Sequence, residues 1–148
     1  MSNNIGMTSL NKTRSTEWLL ALCAIGWGWT VLQPGQLFEM PMYRLLSAVF
    51  RETTWGAIAV LIGMLRCVGL GINGFWQRSP LIRMAGSAAS GLFWMVVAFL
   101  MFVSVREFNG TLPAGWVYYL IFFAFEGWCV AAAGYDMFKN ASLSRRVA

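Results

Sequence analysis

Arg66 and Glu126 are the residues in this chain whose type and position point most directly to chemistry. Arg66 stands inside the apolar run from Trp55 to Asn73, and Glu126 inside the run from Ala114 to Tyr135. A charge at bilayer depth costs about 2.5–3.5 kcal/mol on insertion scales, so such a residue has a partner or a job. An arginine and a glutamate at one level can form a charge-assisted pair that lowers the burial penalty of each. Apart, the arginine would snorkel to the interface and the glutamate would hold a proton. A third arrangement puts them on an ion-conducting or proton-coupled path.

The elements that must position these two residues follow from composition. With 58% hydrophobic and 11% charged residues and a mean hydropathy of +0.59, the chain has too few polar side chains to cover a soluble globule. An integral membrane protein is expected. About 20 apolar residues cross roughly 30 Å of hydrocarbon, which predicts spans over 17–33, 54–75, 84–105 and 114–137. One four-span domain over 1–148, an all-α membrane protein built as a four-helix transmembrane bundle, leaves only short loops and tails. If the second and fourth spans run in the same direction, Arg66 lies twelve residues after Thr54 and Glu126 twelve after Ala114. Both then sit about 18 Å down their helices.

The first window follows Lys12 and Arg14 and has the outline of a secretory signal. Its end, Trp27-Gly-Trp-Thr-Val-Leu-Gln33, offers no small-residue cleavage site, so it is read as a retained span that Pro34 and Gly35 terminate. Lys and Arg accumulate on the cytoplasmic side of membranes. Lys12, Arg14, Arg78, Arg83, Lys139, Arg145 and Arg146 fall on one side, whereas Arg44, Arg51 and Arg106 on the other are offset by Glu39, Glu52 and Glu107. Both termini are therefore expected in the cytoplasm, with a bacterial inner membrane as the setting. The net charge of +5 then faces anionic lipid rather than nucleic acid.

From Pro41, the residues Met42, Leu45, Leu46, Val49 and Phe50 recur at helical spacing opposite Arg44, Ser47 and Arg51. This predicts a short interfacial amphipathic helix over 41–52, with Pro41 in its first turn. The other reading is a re-entrant extension of the first span. Small residues four apart, Ala85/Ala89 and Gly86/Ser90 on the third span and Gly127/Ala131 on the fourth, with Gly63 on the second, mark close helix packing. That packing is expected within one bundle, with self-association between copies as the alternative. Trp18, Trp55, Trp76 and Trp116 lie near span ends as an interfacial belt, and the deeper Trp27, Trp29, Trp94 and Trp128 read as packing.

Several absences narrow the chemistry. The chain has no histidine, which removes the commonest metal ligand and the usual base at neutral pH. Cys23, Cys67 and Cys129 lie in three different spans without a CxxC pair, so no zinc site or disulfide framework is indicated. Met40 and Met42 flank Pro41 as a soft pair of the kind that binds Cu(I), but at an interface they read as apolar anchors. Asp136, at the end of the last span, reads as a surface charge. Asn109-Gly110-Thr111 matches a glycosylation acceptor and equally a turn. Neither a catalytic constellation nor a cofactor or metal site is expected, so an enzyme is not.

Three functional classes remain. The first is an oligomerising or partner-binding membrane component whose partners are the bilayer and either itself or another membrane protein. The second is a pore-former similar to holins in size, in having several spans and in its basic tail from Lys139 to Arg146. The third is a small transporter or channel using Glu126 and Arg66. Small multidrug exporters also carry a lone intramembrane glutamate, but in their first helix, where this chain has no internal acid.

Overall fold

The structure, a computed structural model, describes the backbone of residues 4–35, 37–72, 79–108 and 111–147, and the side chains of 14–35, 37–71, 81–108 and 111–138. Among these residues the chain is all helical. It contains α1 (Asn4–Leu32), α2 (Arg44–Val49), α3 (Glu52–Ile72), α4 (Ser79–Glu107) and α5 (Trp116–Val147), with short 3-10 turns at Leu37–Glu39 and Pro41–Tyr43 before α2. Among the described residues three helices are long and apolar enough to cross a membrane: Glu52–Gly71, Leu81–Glu107 and Trp116–Phe138. The chain is thus an integral membrane protein by the length and apolarity of α3, α4 and α5. α1, expected as a fourth span, is not among them. Glu17 near its middle and the sequence Gly-Trp-Gly-Trp-Thr at 26–30 dilute its apolar content.

Antiparallel packing places the four long helices. On the α1–α3 face, a β-carbon added to Gly28 would lie 2.6 Å from the Gly56 carbonyl oxygen, and one added to Gly63 would lie 2.7 Å from that of Ala21. As α1 ascends α3 descends, and both backbones touch where only glycine leaves room. α4 lies at the centre: half of its span is buried, against 17% of the α5 span. Trp116 at the start of α5 donates its indole N–H to the Ala98 carbonyl on α4 at 2.8 Å.

The half of the bundle near α2 is closed by aromatic packing. Trp27 meets Phe93 and Trp94 edge-on at 5.5 and 5.8 Å, and Trp94 stacks on Tyr119 at 5.7 Å. Trp27 also donates its indole N–H to the Tyr119 hydroxyl at 3.0 Å, fixing α1 to α5. Edge-on and offset rings suit the aromatic quadrupole, and buried indole N–H groups need acceptors. Trp29 and Trp128 face outward instead, and Trp76 lies outside the described residues.

The connection from α1 to α3 differs from the continuous twelve-residue helix expected over 41–52. Pro41 starts a single 3-10 turn, α2 runs for six residues, and Phe50 then turns extended. That break lets Trp55, on the first turn of α3, donate its indole N–H to the Leu46 carbonyl at 2.9 Å. Leu46 and Tyr43 turn inward while Val49 and Phe50 stay exposed, so the helical stripe divides between core and surface. Ser104 on α4 pins the segment by donating to the Pro41 carbonyl at 2.7 Å. Burial, and after it the neighbouring Tyr119, push the Tyr43 phenol above its ordinary range, so it remains a neutral hydroxyl.

Candidate functional site

At the end of the bundle away from α2 the core is polar, and each long helix contributes a charge. Arg66 of α3 and Glu126 of α5 form an ion pair, with their side chains 4% and 0% exposed. Arg66 also donates through Nη2 to the Ser87 hydroxyl of α4 at 3.2 Å. α4 makes room for both side chains with glycines. A β-carbon at Gly86 would lie 3.3 Å from Arg66 Cγ, and one at Gly91 would lie 3.1 Å from Glu126 Cβ.

About one turn nearer the end, Arg83 of α4 forms a second cluster. It grips Glu17 of α1 in a fork, with Nε to Oε2 at 2.9 Å and Nη2 to Oε1 at 2.6 Å. A third donor, Nη1, reaches Asp136 Oδ2 of α5 at 3.3 Å. Two guanidinium groups thus meet three carboxylates over roughly two helical turns. Charge-assisted pairs of this kind are what makes burial of these groups tolerable in hydrocarbon.

The polar core is not fully satisfied. Among the described residues, Glu126 Oε2, Ser90 Oγ and the Trp94 indole nitrogen are buried without a hydrogen-bond partner. Trp94 and Ser90 lie one turn apart on α4, so they mark the boundary between the charged and aromatic halves of the core. Such unpaired buried groups are uncommon and concentrate where strain or function requires them.

Beside the pairs, between α3 and α4, lies a cavity of about 370 Å³. Ile62, Leu65, Leu70, Leu81 and Ile82 form most of its wall, and Ala85 and Ala89 leave the space that larger side chains would fill. Glu17, Arg66, Ser87 and Arg83 border it on the polar side. Its volume falls within the roughly 300–1,000 Å³ of small-molecule sites, which pair apolar walls with a few placed polar groups.

No protein-family model, curated protein or solved structure matches this chain. Function must therefore be read from the residues themselves.

The structure brings Arg66 and Glu126 together and places the small residues on different surfaces. Gly63 packs on α1, Gly86 on Arg66, and Ser90 is buried. Ala85 and Ala89 line the cavity. Gly127 and Ala131 do not pack within the bundle: both face outward, and a β-carbon at Gly127 would meet nothing within 4 Å. The reason is the rotation of α5, which turns Glu126, Cys129 and Ala133 inward instead.

Arg83, grouped by sequence with the flanking cytoplasmic basic residues, turns inward, and only Arg14 of that group is seen exposed. Arg78 lies outside the described residues, as do the side chains of Lys12, Lys139, Arg145 and Arg146 and the Asn109-Gly110 pair. Among the described residues no three His, Cys, Asp or Glu side chains are grouped to hold a metal ion. Sequence reasoning passed over Glu17 and Asp136 as partners of Arg83. Glu17 and Arg83 each stand one residue before an apolar stretch, at Trp18 and Met84, so the level-matching that pairs Arg66 with Glu126 applies to them too.

Proposed function

We propose that this chain is a four-span protein of a bacterial inner membrane, with both termini cytoplasmic, that acts as an oligomerising or partner-binding membrane component. One observation carries the reading: the α5 span leaves most of its surface, including Gly127 and Ala131, uncovered by the rest of the chain. Small residues four apart let a second helix approach closely in lipid, where backbone contact replaces the hydrophobic drive of water. The fourth span is α1, because its backbone runs against the membrane-crossing part of α3 from Ala21–Gly63 to Gly28–Gly56. The segment with α2 lies at the outer interface and connects these two spans.

The buried charges in this reading hold the bundle together and do not catalyse a reaction. Arg66, Arg83, Glu17 and Asp136 are all engaged with one another or with Glu126, and the aromatic layer at Trp27 and Trp94 closes the path beyond them. No cofactor is required. Assembly into a holin-like pore is a variant in which copies join through α5. A small transporter is the second reading, favoured by the unpartnered Oε2 of Glu126.

The deciding experiment measures the oligomeric state in detergent and nanodiscs for the parent and for Gly127→Ile with Ala131→Ile. A parent that is oligomeric or holds a membrane partner, and variants that fold but lose it, would support the proposal. A monomeric parent with no partner, and a proton or ion flux in liposomes that Glu126→Gln abolishes, would replace it with the transporter reading. Timed lysis of expressing cells would select the pore-forming variant.

A further inference from the structure

We infer that Ser90, Trp94 and Glu126 together bind one internal water molecule at the joint between α4 and α5. The site lies inside the bundle, so it is independent of the outer face of α5 on which the proposed function rests.

Helix packing brings the three side chains to one place. A β-carbon at Gly91 of α4 would lie 3.1 Å from Glu126 Cβ of α5, and the Ser90 hydroxyl, one residue earlier, lies beside the Glu126 carboxylate. Trp94 stands one turn further along α4 and packs on Phe122, one turn before Glu126, with ring centroids 5.0 Å apart. Helical side chains lean toward the N-terminus of their own helix. α4 and α5 run antiparallel, with Gly91 against Glu126 and Ala98 against Trp116. The Trp94 indole therefore leans toward the level of Ser90, and the Glu126 carboxylate leans toward the level of Trp94.

Their donors and acceptors complement a water. Trp94 Nε1, Ser90 Oγ and Glu126 Oε2 are buried without a hydrogen-bond partner among the described residues, and all three residues are 0% exposed. An indole N–H only donates, a carboxylate oxygen only accepts, and a hydroxyl does both. One water accepts from Trp94, donates to Glu126 Oε2 and makes a third bond with Ser90, which matches the roughly three bonds of a buried water. Water bridges polar groups that stand too far apart to bond directly. A direct bond between Ser90 and Glu126 alone would leave the Trp94 N–H unanswered. The rings packed on Trp94 are those of Trp27, Phe93, Tyr119 and Phe122, and the Tyr119 hydroxyl already accepts from Trp27. A water occupies only about 10–15 Å³ of probe volume, room that the small size of Ser90 and Gly91 provides. Bound there, it ties the aromatic half of the core to the ion pairs.

Proton-detected solid-state NMR of the full chain in liposomes, labelled at its indole nitrogens, tests this directly. The Trp94 signal is assigned by its loss in Trp94→Phe. A cross peak between water and the Trp94 indole proton is expected in the parent, and it should persist in Ser90→Ala, where the water keeps Trp94 and Glu126. Absence of the peak in the parent would overturn the proposal. So would its loss in a folded Ser90→Ala, because the indole would then be donating straight to the Ser90 hydroxyl, whose own proton exchanges with water. If Ser90→Ala does not fold, a crystal structure of the parent grown from lipid decides alone. One density peak within about 2.7–3.2 Å of Trp94 Nε1, Ser90 Oγ and Glu126 Oε2 is the expected result. No such peak, or a Trp94 Nε1 bonded to a protein acceptor, would overturn the water site.

Discussion

Arg66 on α3 reaches Glu126 on α5 across the flank of α4, and the passage exists because α4 carries glycine at 86 and 91, where a β-carbon would come within 3.3 Å of Arg66 Cγ and 3.1 Å of Glu126 Cβ. The ion pair and the glycines are therefore one device. Removing either charge leaves the other buried without its partner, a loss of about 3–5 kcal/mol in known buried pairs. Arg66→Ala and Glu126→Ala should each lower stability in a detergent–SDS titration by that order, and the double change by clearly less than their sum. Additive losses would show that the two side chains act independently.

Gly28 and Gly127 offer a paired comparison on opposite surfaces. Gly28→Ala puts a β-carbon 2.6 Å from the Gly56 carbonyl, so α1 must move away from α3 at about 1–3 kcal/mol. Gly127→Ala meets nothing within 4 Å and should change the stability of a single copy by less than about 0.5 kcal/mol. Thermal unfolding of both variants in the same detergent checks the ranking.

The two carboxylates on Arg83 should differ in weight. Glu17 takes a fork of short bonds with its side chain 2% exposed, whereas Asp136 accepts one bond at 3.3 Å with its side chain 20% exposed. Glu17→Gln should lower stability by about 1–3 kcal/mol, and Asp136→Asn by less than about 1 kcal/mol. The reverse order in a denaturation series would place the anchor of Arg83 on α5 rather than on α1.

Topology is checked with single cysteines in a chain whose Cys23, Cys67 and Cys129 are changed to alanine. A membrane-impermeant maleimide added outside right-side-out vesicles should label Ser47→Cys and Thr111→Cys but not Arg14→Cys, with the pattern reversed in inverted vesicles. Labelling of positions 14 and 47 from the same side would remove α1 from the spans.

The membrane class and the spans over α3, α4 and α5 were legible in the sequence because long apolar runs leave few alternatives in hydrocarbon. The meeting of Arg66 with Glu126 was legible as a possibility, since equal depth on parallel helices is fixed by counting residues. The inward turn of Arg83 was not. Its place beside a span suggests a surface charge until the rotation of α4 is known, and rotation depends on packing partners. The rotation of α5 likewise hides Cys129 and exposes Gly127, two residues apart. Around Pro41 the stripe of apolar residues suggested one helix, but it starts as a 3-10 turn and stops at Phe50, whose extended backbone lets the Trp55 indole N–H reach the Leu46 carbonyl.

The sixty positions between Arg66 and Glu126 also set an order of events during synthesis. At about 5–20 residues per second, the arginine leaves the ribosome some 3–12 s before the carboxylate that will neutralise it. For that interval Arg66 lacks its carboxylate and has only the Ser87 hydroxyl of α4 as a partner, and the arrival of α5 supplies the counter-charge. A chain cut short before residue 126 would leave Arg66 without its counter-charge, so the polar end of the core is complete only once the last helix has been made.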